Sequence, residues 1–100
     1  MNRPRKQRCC RKFDGDRIFK PRSVPMSQLD QIHLELGELE AMRLCDLEKY
    51  DQEAAGQQMN VSRGTVFRLV KSGRAKVLEA ILESKALVIE KEPEVTGENK

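Results

Sequence analysis

Asp51 and Ser62 each stand where a helix cap would stand, and only Asn60, Val61 and Ser62 separate the two helices they bracket. A carboxylate or hydroxyl there accepts a hydrogen bond from a backbone N–H that the first helical turn leaves unpaired. Asp51 predicts a helix over Gln52–Met59, which Asn60 can end in the left-handed conformation. Ser62 precedes Val66, Leu69, Val70, Val77, Leu78, Ile81 and Leu82, a stripe that predicts a helix to about Ser84. So short a connection packs the helices at a steep angle only if particular residues cooperate. Gly56 is the small residue expected where the helices cross, Val61 the apolar plug from the turn, and Val66 the inward residue one turn later. All are in register, and the expected unit is a helix-turn-helix. Gly64 and Gly73 each cost the later helix about 1 kcal/mol relative to alanine, so something other than propensity should explain them.

Upstream, Leu39, Met42 and Cys45, flanked by Leu44 and Leu47, predict a helix from Glu38 to about Glu48. Glu38 and Glu40 suit its N-terminus, where the helix dipole favours acids. Ile32, Leu34 and Leu36 alternate with His33 and Glu35, the period of a half-buried strand. Ser27 and Asp30 predict one capped helical turn, and Pro21 and Pro25 keep the chain before it extended or turned. Ala86–Ile89 predicts a terminal strand. A length of 100 residues allows one small domain. The expected organisation is a flexible basic arm over 1–16, a mainly α domain with short flanking strands over 17–90, and a disordered acidic tail over 91–100.

A net charge of +3 conceals a pattern. Residues 1–22 carry nine Lys or Arg against two acids, residues 23–60 two against eight, and residues 61–80 five against one. No acid occurs between Asn60 and Leu78. Basic blocks separated by an acidic one suit a chain of which only some surfaces meet a polyanion. A helix that enters the major groove presents its N-terminal residues to base edges. Here those are Arg63, Gly64, Thr65, Phe67 and Arg68, with Lys71 further on. Arg63 and Arg68 suit guanine, and Thr65 or Phe67 a thymine methyl, while Ser62, Arg74 and Lys76 are expected on phosphates. Arg3, Arg5, Lys6 and Arg8 of the arm are expected on a neighbouring minor groove or on phosphates. The expected activity is sequence-specific binding of double-stranded DNA in transcription regulation. The alternative is an adaptor that docks on a protein such as RNA polymerase, its arm binding nucleic acid without preference. Aromatics at 4% count against single-stranded RNA.

Other classes are excluded more simply. The longest apolar runs are about four residues, against roughly 20 for a membrane helix. The basic N-terminus runs into Cys9-Cys10-Arg11-Lys12 and not into an apolar stretch, so no secretory signal is expected and the location is cytoplasmic. Cys9, Cys10, Cys45 and His33 lack metal-ligand spacing, so neither metal nor cofactor is expected. Arg8, Arg11 and Lys12 favour thiolates at Cys9 and Cys10, while Cys45 lies on an apolar stripe and belongs in the core. One histidine and no glycine-rich phosphate loop argue against an enzyme.

Arg3-Pro4-Arg5-Lys6, Phe19-Lys20-Pro21 with Val24-Pro25, and Leu36 through Leu44 form a recognisable set. Gln52-Glu53-Ala54-Ala55, Met59 with Val61-Ser62-Arg63, and Lys85-Ala86-Leu87 continue it. Together they resemble, over roughly residues 2–90, a family of small prokaryotic proteins known only as uncharacterised and as predicted DNA-binding. The resemblance implies a winged-helix-like or sigma-region-four-like three-helix domain, similar to the sigma-factor region that reads the upstream promoter element. It carries over a role for Ser62, Arg63 and Arg68 in a regulator, but no target sequence. The family tends to have an acid where Gly37 stands, so the first helix is expected to be less well capped here. Helix-turn-helix proteins commonly dimerise, and isolated short strands are marginal in water. A homodimer is therefore expected, its strands pairing within one chain or between two.

Overall fold

The computed structural model describes residues 17–89. The expected arm, with Arg3, Arg5, Lys6, Arg8, Cys9 and Cys10, and the expected tail over 91–100 lie outside the described residues. Three short strands, β1 (Arg17–Phe19), β2 (Gln31–Leu34) and β3 (Ala86–Ile89), accompany three helices, α1 (Leu36–Met42), α2 (Gln52–Met59) and α3 (Arg63–Leu82). The fold is mainly helical, with one small sheet.

The strands pair within one chain. β3 is central, antiparallel to β1 with Ile18 opposite Val88, and parallel to β2 with Leu34 opposite Ile89. All three helices thus form the crossover from β2 to β3. Because the strand after α3 is the centre of the sheet, no hairpin wing follows that helix among the described residues, which corrects the winged-helix expectation. One apolar cluster, Leu34, Ala80, Leu87 and Ile89, joins the sheet to α3. A second, Ala41, Leu44, Ala55, Val66 and Val70, joins the three helices, with Cys45, Met59 and Leu69 packed at its margin.

Local chemistry accounts for the helix ends. α1 starts at Leu36, earlier than the stripe implied, because Glu35 and Glu38 form a reciprocal capping box. The Glu35 amide donates to Glu38 Oε1 at 2.9 Å, so α1 is well capped despite Gly37. Beyond Met42 the helix widens into a π-helical turn, Arg43–Leu47, which leaves Leu47 in solvent. The turn before β2 is a 3-10 turn, Met26–Gln28, entered from Pro25 at φ −65° and without the expected Ser27–Asp30 cap. Asp51 caps α2 by accepting from the Ala54 amide at 2.8 Å, and Asn60 ends it in the left-handed region at φ 63°.

Two roles around the turn, those of Gly56 and Val61, differ from expectation. A Cβ on Gly56 would stand 2.6 Å from the Val61 carbonyl oxygen, so this glycine admits the backbone of the turn. Val61 itself is exposed, whereas Ala55 and Val66 are buried in the cluster between the helices. A Cβ on Gly73 would overlap the Met42 side chain and stand 3.2 Å from Glu38 Cβ, so Gly73 is where α3 meets α1. The stripe on α3 also fails at its end. Val77 and Ala80 turn toward the core, whereas Leu78, Ile81 and Leu82 face solvent.

Candidate nucleic-acid interface

Ser62 approaches α3 in an extended conformation, φ −74° and ψ 160°, which aims its hydroxyl back along the first turn. Ser62 Oγ accepts from the Thr65 amide at 3.1 Å and shares a hydrogen bond with Thr65 Oγ1 at 3.0 Å. Arg68 Nη2 in turn donates to Thr65 Oγ1 at 3.2 Å, so cap, hydroxyl and guanidinium form one chain along the helix. A Cβ on Gly64 would meet nothing nearer than Arg68 Nη1, at 3.8 Å. Unlike Gly56 and Gly73, this glycine has no steric reason within the fold.

Arg63, Gly64, Phe67, Arg68 and Lys71 are exposed and Thr65 is half-buried. Lys71 Nζ stands 5.8 Å above the Phe67 ring, within the range of a cation–π attraction. Arg63 lines an open polar cleft of about 500 Å³ with Asp46, Tyr50, Asp51, Glu53 and Arg74. None of Arg63, Arg68 and Lys71 has a carboxylate ion-pair partner among the described residues.

The other two basic residues of α3 are placed differently. Arg74 donates to both oxygens of Asp46, at 3.2 and 2.5 Å. That hydrogen bond, ahead of the arginine's charge, holds the Asp46 carboxyl below its usual value. At about 100° per residue, Lys76 lies on the side of α3 opposite Arg63. Its Nζ donates to Glu38 Oε1 and to the His33 carbonyl, both at 2.9 Å. The expected phosphate contacts at Arg74 and Lys76 thus start from side chains already engaged within the chain.

Glu38 and Glu40, expected at the N-terminus of α1 and part of the acidic block over 23–60, are buried. Burial pushes the Glu38 carboxyl up, but hydrogen bonds from Ser72, the Glu35 amide and Lys76, with the lysine charge, hold it below its usual value. Glu40 accepts from Arg43 at 2.6 and 3.0 Å. Reading the sequence missed both cross-helix pairs, Asp46–Arg74 and Glu38–Lys76. The signal was present, since an acid-rich stretch over 35–53 precedes the acid-free one from Asn60 to Leu78. Cys45 is half-buried, and burial, then the Asp46 charge, push its thiol up, so it stays protonated. Among the described residues no group of three or more His, Cys, Asp or Glu could hold a metal ion, and no helix is long and apolar enough to cross a membrane.

Fold and site together define a small mainly helical domain, built on a three-stranded sheet, that offers the basic N-terminal end of its longest helix to solvent. Residues 1–96 match the family described as protein of unknown function DUF134, and the chain belongs to that family. A UPF0251 protein of Thermoanaerobacter pseudethanolicus is 47% identical over 90 residues, covering 90% of this chain and 76% of the relative. One of Vibrio parahaemolyticus is 42% identical over 92 residues, covering 92% and 96%. One of Clostridium tetani is 44% identical over 89 residues, covering 89% and 60%. No solved structure matches the chain.

Proposed function

We propose that the chain binds duplex DNA sequence-specifically, as a transcription regulator, through a helix-turn-helix formed by α2 and α3. The reading takes the arrangement to be of the sigma-region-four kind, with the N-terminal half of α3 in the major groove. One observation carries it. Of the five basic residues on α3, Arg74 and Lys76 are paired with acids, while Arg63, Arg68 and Lys71, toward its start, have no acidic partner among the described residues. Cations left without partners on an acid-free helix face suit a polyanion supplied from outside. In this reading Arg63 and Arg68 contact bases, with Arg68 steadied by Thr65, and Ser62 lies against the phosphates.

Selection from random duplexes, followed by anisotropy titrations at two salt concentrations, tests it. The expected result is one enriched site, preferred over a scrambled duplex by at least about 10³-fold. Arg63→Ala should then remove roughly 1–3 kcal/mol of that preference while leaving non-specific affinity mostly intact. Equal binding of both duplexes, or none, would reject the specific reading and leave the adaptor in its place.

A further inference from the structure

The C-terminal half of α3 carries an apolar ridge that the fold leaves uncovered. Leu78, Ile81 and Leu82 are 55, 66 and 76% exposed, and their spacing makes them neighbours on the helix surface. Beside the ridge runs a groove of about 420 Å³, lined by Phe19, Pro21, Val77, Ala80, Ile81 and Leu87. Ile81 belongs to both, so ridge and groove are continuous. Phe19, on the far wall, is itself 58% exposed. These four side chains present roughly 400–500 Å², the size of the largest patch on an ordinary monomer and over half of what each partner gives to a standard interface.

The charges at the rim are complementary to one another. Glu83 caps α3 at its C-terminus, where the helix dipole disfavours a carboxylate. Its carboxylate feels the field of nearby Lys85 but makes no hydrogen bond or ion pair with the described residues, and Lys85 is bonded to Glu79 at 2.7 Å. On the groove side, Lys20 donates, among the described residues, only to backbone carbonyls, those of Val24 at 2.7 Å and Pro21 at 3.4 Å. Among the described residues, the ridge therefore ends in an acid without an ion-pair partner, and the groove in a cation, Lys20, without a carboxylate.

We propose that this patch docks a second copy of the chain about a two-fold axis, with Leu82 of each copy entering the other's groove and Glu83 meeting the other's Lys20. A two-fold contact needs both halves of the complement on one patch, and this patch has a protruding side chain beside a groove and an acid beside a cation. Glu79 and Glu83 make the same surface a poor one for DNA. The inference stands apart from the DNA reading, since it uses the opposite end of α3.

Sedimentation equilibrium of the full chain over a wide concentration range tests it. The expected result is a monomer–dimer equilibrium that Leu82→Glu weakens at least about 30-fold, with circular dichroism unchanged, and melting unchanged at a concentration where both proteins are monomeric, because Leu82 is in solvent. Lys20→Glu and Glu83→Lys should each weaken it by about 10-fold, and the double exchange should restore it. A chain that stays monomeric at about 1 mM overturns the proposal. So does a dimer indifferent to Leu82→Glu, or one that the double exchange fails to restore.

Discussion

Lys76 Nζ of α3 and Glu38 Oε1 of α1 meet at 2.9 Å, with the Glu38 side chain only 5% exposed. Ser72 Oγ donates to the other carboxylate oxygen at 2.6 Å, so one acid ties α1 to two successive turns of α3. Removing a single member of such a group strands the others, which costs more than the intact pair contributes. Glu38→Gln is expected to cost about 2–3 kcal/mol in urea unfolding, below the range for fully buried pairs because Lys76 reaches solvent. The same variant has a pH signature. The folded carboxyl lies below its usual value, so the unfolded chain binds the proton more readily. The stabilisation is full above about pH 4.3 and is lost as pH falls through the lower folded value. Glu38→Gln should flatten the stability profile in that acid window, and a profile parallel to the parent's would refute the assignment.

Gly73 makes the same helix contact from the backbone side. Alanine there should gain about 1 kcal/mol from helix propensity, yet its methyl would overlap Met42. Overlap in a packed contact costs typically about 1–3 kcal/mol, so Gly73→Ala should be net destabilising in chemical denaturation. Met42→Ala in the same chain should recover much of the loss. If Gly73→Ala alone raises stability, α1 and α3 are not this close.

What could be read from the sequence was what is decided locally. Asp51, Asn60 and Ser62 fix the ends of α2 and α3 through bonds that span three or four residues, so their types and positions suffice. The start of α1 was misplaced because Glu35 caps it reciprocally with Glu38, and a glutamate at a helix start reads first as dipole complement. The burial of Glu38 was not legible because its partners Lys76 and Ser72 come near only once α1 packs on α3, and that of Glu40, whose partner Arg43 is only three residues on, because it depends on the same packing. The sequence singles out Gly56 for the helix crossing and Val61 for the plug, but the glycine serves the turn's carbonyl and the valine stays outside. Strand order is a long-range choice, and nothing in Ala86–Ile89 alone says that it lies between the other two strands. At the candidate interface, Arg63, Arg68 and Lys71 were legible as an acid-free cluster. The engagement of Arg74 and Lys76 was not, since it depends on which acids the fold brings near.

Asp46 restrains a cation that the DNA reading would otherwise use. Arg74 is 58% exposed and, among the described residues, held only by that carboxylate, an arrangement of little consequence for stability. Asp46→Asn should therefore change unfolding free energy by less than about 1 kcal/mol. Released, Arg74 adds one phosphate contact, so duplex affinity should rise and the slope of log K against log salt should steepen by about 0.9. Anisotropy titrations at several salt concentrations read both quantities. An unchanged slope would mean that Arg74 stays clear of the phosphates.

Gly64 separates the needs of the fold from those of the surface. It is exposed in the first turn of α3, and a Cβ there would make only an ordinary contact with Arg68 at 3.8 Å. Folding alone would favour alanine, and Gly64→Ala is expected to raise stability by about 0.5–1 kcal/mol, read as a higher melting temperature. A glycine that the chain keeps against its own stability fits a place where another molecule's backbone comes too close for a side chain. If that molecule is duplex DNA, Gly64→Ala should bind the selected site at least about tenfold more weakly while being the more stable protein. The two effects have opposite signs, so a folding defect cannot imitate the result. Higher stability with undiminished affinity would place the DNA contact away from the first turn of α3.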